Sequence, residues 1–516
     1  MPLSVAILLA SLLPLSSALA QAPSLVAKGE AVQLHVDGKP FLIRGGELGN
    51  STASDLDALA AHWETFEAVD MNTVLAPVSW ELIEPEEGVF DFSSVDGLLE
   101  QARAAKMKLV LLWFGSYKNS MSSYAPSWVK RDPDRFPRAE AADGTPQEIL
   151  SPYAPANWQA DAEAFRALMA HLRNTDNRER TVIMVQVENE LGMLPDARDH
   201  SPEAEAAFAA PPPAGLPGVE GGSWRAAVGE TPEGEELFSA WGLARYANAV
   251  AEAGLEAYDL PLFVNAALNR PGAEPGAYPS GGPLEHLFGI WEATAPAIDF
   301  LAPDIYFESL VERVAPYDYE GNAVFIPEAN RAGREEAGAD MLWAVGALDA
   351  IGFSPFSIED IAEDHSLGEA YRLVASLEDL ILGTQGTDAL HGLKPSVSFG
   401  GDIDLTPQTV TIGDYEVTAT FKDPWTPLEA QTPAAHGVML IATGPSEFLA
   451  AGRGATLTFA REEGQAGIEA ADSGRMEDGR FVALRRMNGD QTHQGRHVRL
   501  PPDGFTLQRV RLYSYD

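Results

Sequence analysis

Thr181-Val182-Ile183-Met184-Val185-Gln186-Val187-Glu188-Asn189-Glu190 runs from an apolar, β-branched segment straight into two carboxylates and an amide. An apolar run without alternation is the mark of a strand buried on both faces, as in a parallel sheet. A second run of this kind, Ala323-Val324-Phe325-Ile326-Pro327, delivers Glu328, followed by Ala329 and Asn330. An ionised carboxylate is costly to bury unless it is paired or put to use, so acids raised at the ends of two separate buried strands are candidates for chemistry.

Working outward from this stretch, apolar runs at 41–47, 72–77, 109–114, 181–190, 261–268, 299–306, 323–330 and 351–358 predict eight strands. Amphipathic stretches at 55–69, 95–106, 158–172, 236–258, 337–348 and 367–382 predict helices between and after them. In the third, Phe165, Leu168, Met169 and Leu172 fall on one helical face. Strands alternating with helices in this way predict a (β/α)8 TIM barrel, with its site at the carboxyl ends of the strands. A doubly wound open sheet would want a glycine-rich phosphate turn after its first strand, and Arg44-Gly45-Gly46-Glu47 is not one.

Two regions depart from the alternation. Residues 192–235, rich in proline and glycine, form a long connection directly after the acidic strand end, read as a wall or lid over the site with a mobile insertion as the alternative. Beyond about residue 390 the helical patterns stop, and alternating segments at 409–412, 415–421, 437–441, 456–459 and 506–513 predict an antiparallel, sandwich-like β domain. The expected division is a signal peptide at 1–20, a catalytic barrel with an amino-terminal hairpin at 21–385, and an all-β domain at 386–516.

The 516 residues hold 35 Lys and Arg against 76 Asp and Glu, a net charge of −41. Such a surface repels phosphate backbones and anionic lipids, so nucleic acid is not an expected partner, while a neutral carbohydrate is indifferent to it. The apolar segment at 3–19, followed by Ala18-Leu19-Ala20, reads as a secretory leader, although no basic residue precedes it; export to the periplasm or the extracellular space is expected. There is no cysteine, so stability must come from packing. No later stretch is long enough to insert in a membrane. The 10 His show no HExxH pattern, and neither a metal nor another cofactor is expected; a homo-oligomer is left open.

Gln186-Val187-Glu188-Asn189-Glu190-Leu191-Gly192 resembles the acid/base motif of glycoside hydrolase family 35, the β-galactosidases. Asn72 followed by Trp80, Glu84, Pro85, Gly88, Phe90, Asp91 and Phe92, and the Pro126-Ser127-Trp128 turn, are further matches. The resemblance implies that Glu190, at the end of the fourth strand, is the proton donor and Glu328, at the end of the seventh, the nucleophile. The common form of the family carries a Cys-Ala-Glu-Trp type end on strand three; here Leu111-Leu112-Trp113-Phe114-Gly115-Ser116 stands instead, as in a bacterial subgroup with a short carboxy-terminal β domain.

In a retaining glycosidase the two carboxyls sit roughly 5 to 5.5 Å apart, one attacking and the other protonating the leaving oxygen. The resemblance further implies that Asn189 binds the sugar 2-hydroxyl and that Tyr306 hydrogen-bonds the nucleophile. Glu47 and Asn265 stand at strand ends, to bind hydroxyls or to brace the acids. Trp80, Trp113, Trp291 and Phe356 are candidates for stacking on the sugar ring, and Glu188 reads as a structural carboxylate. The expected activity is exo-acting β-galactosidase. The alternatives are another retaining glycosidase, on arabinopyranosides, glucosides or fucosides, and a non-catalytic carbohydrate-binding barrel.

Overall fold

The computed structural model describes residues 21–487 and 489–516; the leader expected at 1–20 lies outside them. Eight parallel strands close into a barrel: β1 (Ile43–Glu47), β2 (Thr73–Ser79), β3 (Lys108–Lys118), β4 (Val182–Asn189), β5 (Leu262–Ala267), β6 (Phe300–Ile305), β7 (Phe325–Ala329) and β8 (Gly352–Pro355). They pair in chain order, and β8 returns to β1 through Gly352 opposite Ile43. Each lies where the sequence predicts a strand.

Both faces of the strands are buried, which explains why they read as unbroken apolar runs. Side chains alternate between the barrel interior and the surrounding helices. On β3, Val110, Leu112 and Phe114 point inward beside Ile183 and Met184 of β4, while Leu109, Leu111 and Trp113 point out into the helix layer. Inside the barrel, Phe263 and Phe300 stack at 5.0 Å and Phe325 meets Phe263 edge-on at 5.6 Å. Deleting one such ring would cost about 3–5 kcal/mol. Leu34 and Val36, from the antiparallel strands Ser24–Lys28 and Ala31–Val36, join this cluster where the barrel strands begin.

The main helices are α1 (Ser93–Ala104), α2 (Pro155–Thr175), α3 (Pro232–Ala257), α4 (Ala337–Ala347) and α5 (Ser366–Thr384). α3 begins on a cap in which Thr231 Oγ1 accepts from Gly234 N at 3.2 Å, with Pro232 leading and Glu233 and Glu235 in the first turn. The helix predicted over 55–69 is split into Leu56–Ala60 and Trp63–Ala68, and Phe288–Thr294 and Leu310–Val314 are too short for periodicity to announce.

Residues 192–235 fold into a packed flank containing the helices Pro202–Phe208 and Trp224–Val228. Arg198 pairs with Glu205 at 2.7 Å and Glu235 at 3.1 Å. Asp199 accepts from Ser151 Oγ at 2.5 Å and Glu140 N at 2.9 Å, and Phe208 and Trp224 lie 4.9 and 5.4 Å from Phe238 of α3. This segment is seated on α3 and on the hairpin Arg138–Glu140/Pro146–Leu150.

The carboxy-terminal region holds two large antiparallel sheets and a two-stranded ladder, Ser396–Val397 with Ile403–Asp404. Six strands, in the order Leu390–Leu393, Gly437–Gly444, Glu447–Arg453, Thr506–Tyr515, Gln465–Glu477, Arg480–Met487, face four: Gln408–Ile412, Tyr415–Thr420, Ala455–Ala460, Val498–Leu500. Val438, Leu440, Phe448 and Ala450 pack between the sheets. Met439, Ile441, Leu449 and Ala451, on the opposite face, enter the same core as the side chains of α4 and α5. The approach is so close that a Cβ added at Gly346 of α4 would lie 2.8 Å from the backbone of Gly392.

Candidate active site

The carboxyl ends of the strands gather four acids and one lysine at the mouth of the barrel. Glu47 ends β1, Glu190 follows β4, Asp304 lies on β6 opposite Glu328 of β7, and Lys118 ends β3. All five are at most 5 % exposed. The regular alternation is broken to bring them together. Pairing between β6 and β7 is in register at Asp304 and Glu328, but β7 shifts against β8 between Ile326 and Ala329. β3 skips between Trp113 and Lys118 against β4. Glu188, Glu190, Asn119 and Ser120 all have positive φ, at 62°, 47°, 56° and 57°. Left-handed backbone at non-glycine residues is costly and persists only where the surroundings impose it, which is common at functional sites.

The hydrogen bonds join the acids into one network. Tyr306 donates its hydroxyl to Glu328 Oε1, and Asn119 donates its amide to Glu190 Oε2. Asn265 braces the cluster: its oxygen accepts from Glu190 N at 2.8 Å and its nitrogen donates to Asp304 Oδ2 at 2.5 Å. Ser120 Oγ donates to the Glu190 carbonyl at 2.8 Å. With its amide oxygen turned to the lysine, Asn189 accepts from Lys118 Nζ at 3.0 Å and from Glu190 N at 3.3 Å. Lys118 Nζ also sits 4.8 Å from the Phe114 ring centre.

Burial, and then the charge of Glu328, push the Glu190 carboxyl up to about 7, against the pull of Lys118 and of hydrogen bonds from Asn119 and Asp304. Burial and the charge of Glu328 likewise hold Glu47 and Asp304 well above the usual carboxylate range. Burial works against the Lys118 ammonium, but the charges of Glu328, Glu190, Glu47 and Asp304 outweigh it and raise its pKa. The raised pKa of Glu47 and of Asp304 favours the protonated form, in which Glu47 faces Glu328 and Asp304 faces Glu190 as hydrogen-bond donors, and Lys118 supplies a cation among them. This is how four carboxyl groups share one buried site.

Of the residues singled out in the sequence, Glu47, Asn189, Glu190, Asn265, Tyr306 and Glu328 meet here. Phe356 joins them at the rim, bridging to Glu47 and lying edge-on to Tyr306 at 6.2 Å. Trp113 and Trp80 do not, and neither does Trp291. The odd–even alternation of β3 turns Trp113 outward, where its indole donates to Asp161 of α2 at 2.8 Å and packs on Phe165 at 5.5 Å. Trp80 is fully buried, donating to Glu84 at 2.9 Å and set edge-on to Trp128. Trp291 donates to the Gly281 carbonyl at 3.1 Å. These three are packing, and the expectation that they stack on a sugar is corrected accordingly.

Glu188 also points away from the cluster, accepting from Tyr117 N at 2.7 Å, its pKa raised well above the ordinary value by burial and by Asp161. A Cβ at Gly115 would lie 2.5 Å from Glu188 Oε1, so only glycine fits there. Lys118, Asn119 and Asp304 escaped the sequence reading. For Asp304 the period-two spacing to Tyr306 was a usable signal. Among the described residues, no group of three or more His, Cys, Asp or Glu could hold a metal ion.

Residues 53–248 match the family model of glycoside hydrolase family 42, described as β-galactosidase, and residues 367–499 match a domain of unknown function, DUF5597. The first match, over less than half of the chain, makes this segment similar to the β-galactosidase family 42, whereas the strand-end motif resembles family 35. No curated protein matches the chain. Among solved structures, a β-galactosidase from the psychrophilic Marinomonas ef1 is similar at 12 % identity and a TM-score of 0.47, over 66 % of this chain and 60 % of that one. The catalytic domain of β-amylase from Paenibacillus polymyxa gives 14 % and 0.47, over 66 % and 98 %. A β-galactosidase from Bacillus circulans sp. alkalophilus gives 14 % and 0.47, over 66 % and 57 %.

Proposed function

We propose that the protein is a retaining, exo-acting β-galactosidase that releases terminal β-D-galactosyl residues from oligo- or polysaccharides. One observation carries this reading: the ends of β4 and β7 bring together a carboxyl pushed up to about 7, Glu190, and a second carboxyl, Glu328, that accepts the Tyr306 hydroxyl. In this reading Glu328 attacks the anomeric carbon while Glu190 passes its proton to the departing oxygen, leaving a galactosyl ester on Glu328. Formation of the ester removes the charge that helps to raise the Glu190 pKa, so Glu190 then takes a proton from water, which hydrolyses the ester with net retention. Asn189 serves the 2-hydroxyl, and the half-exposed Tyr306 and Phe356 offer an aromatic lip to the ring. The finer likeness to family 35 and export by the leader at 1–20 belong to the same reading.

The test is proton NMR of the sugar released from 4-nitrophenyl β-D-galactopyranoside and from a β-galactosyl oligosaccharide. β-Galactose is expected first, as a monosaccharide; first appearance of the α-anomer would rule out retention, and release of larger fragments would rule out exo-action. The acid form of Glu190 is present below its pKa of about 7 and lost above it, so kcat/KM is expected to fall on the alkaline side with an apparent pKa near 7. Lys118→Met removes the cation that lowers the Glu190 pKa. The alkaline limb of its pH–rate profile is expected to move upward, because the acid form of Glu190 then persists to higher pH. A profile superimposable on the wild type would show Lys118 to be idle.

A further inference from the structure

The carboxy-terminal domain meets the mouth of the barrel at two points. Phe399 lies edge-on to Phe307, the neighbour of Tyr306, at 5.1 Å. Arg453 donates to the Glu335 carbonyl at 2.8 Å, in the loop that follows Glu328. At the second point there is a cavity of about 250 Å³, lined by Glu335 of the barrel and by Gln431, His436, Arg453, Arg499 and Asp503 of the domain. We propose that this cavity is a second sugar-binding subsite, taking a neutral glycan unit of the substrate remote from the bond that is cleaved; the proposal rests on the glycosidase reading above.

The lining is built of planar, multiply hydrogen-bonding side chains, suited to vicinal hydroxyls rather than to a fixed charge. Arg499 is already paired with Asp423, Nη2 to Oδ2 at 2.9 Å, and Arg453 is held by two of its five N–H groups, on the carbonyls of Ala435 and Glu335 at 2.8 Å each. Glu335 and Asp503 more than offset the single guanidinium charge that remains, so the lining holds no surplus cation for an anionic ligand. Next to Thr426, which lines the cavity, stands Trp425, 53 % exposed, with the guanidinium of the cavity-lining Arg499 4.9 Å from its ring centre. An exposed indole held by a buried-side cation is a ready platform for the apolar face of a pyranose.

The cavity is also close enough to the acids. Glu335 follows Glu328 by seven positions (335 − 328 = 7), which limits the separation to roughly 25 Å even for an extended chain. The loop is shorter than that limit, because it turns on itself where Arg334 N donates back to Arg331 O at 3.1 Å. A glycan of a few units bridges such a gap. The role assigned to the domain is thus to select the part of the substrate beyond the terminal residue.

Thr432 also lines the cavity; the full-length protein and its Trp425→Ala and Thr432→Trp variants, the first removing the platform and the second filling the cavity, are compared on two probes. On 4-nitrophenyl β-D-galactopyranoside, too short to reach the cavity, kcat/KM is expected to stay within twofold. On β-1,4-galactopentaose it is expected to fall tenfold or more, mostly through KM. Equal effects on both probes, or none on the pentaose, would overturn the subsite. Were the wild type to cleave neither probe, the glycosidase reading would fail by itself. Calorimetric binding of the pentaose would then decide separately: weaker binding to Trp425→Ala supports the subsite, and identical or undetectable binding overturns it.

Discussion

Glu328→Gln is expected to lose turnover of aryl β-galactosides by about four orders of magnitude or more, as removal of a covalent nucleophile does elsewhere. Glu47 and Asp304 stay buried in the variant, and burial is the larger of the causes that raise their pKa, so neither becomes a ready substitute nucleophile. The amide keeps the shape of the side chain and can still accept from Tyr306, so the circular dichroism spectrum and melting temperature should change little. The variant removes the charge that raises the Glu190 pKa, and a titration of Glu190 in it should move down from about 7. Residual activity near that of the wild type would exclude Glu328 as nucleophile.

The second large effect is Glu190→Gln, and its size depends on the leaving group. An alkyl galactoside needs a proton on its departing oxygen, and its hydrolysis should fall on the order of a thousandfold. A dinitrophenyl galactoside leaves unaided, so its first step should survive and the ester on Glu328 should accumulate, visible as a burst of phenol. Added azide, which needs no general base, should restore turnover and give β-galactosyl azide. Equal losses on both substrates without azide rescue would show that Glu190 does not transfer the proton.

Both acids were legible because each follows an uninterrupted apolar run, and a buried parallel strand leaves that pattern wherever it occurs. Lys118 was not, for Gly115-Ser116 after Phe114 imitates a turn, whereas β3 continues through them to Lys118. What allows the continuation is three-dimensional: the glycine at 115 admits Glu188 and Asp161, and β3 slips against β4 between Trp113 and Lys118. Asp304 stands inside its strand, before Ile305, rather than after the end of an apolar run, so the pattern that marks the other two acids does not mark it. The misplaced tryptophans have a plainer cause. With Leu112 and Phe114 inside the barrel, period two alone sends Trp113 outward. The left-handed backbone at Glu190 that aims its carboxyl has no signature in the sequence, because only the surrounding packing imposes it.

The six-stranded sheet is apolar on both faces, and α4, which it covers, carries Met341, Leu342, Trp343, Ala344 and Val345 with almost no polar side to show to water. A helix of that kind has no solvent-tolerant orientation. Barrel and sheet are therefore not detachable modules that a recombination event can trade one for another. A lineage that discards the sheet must first recolour the outer surface of α4 with charged residues, and one that keeps it inherits whatever the sheet holds beside the barrel mouth.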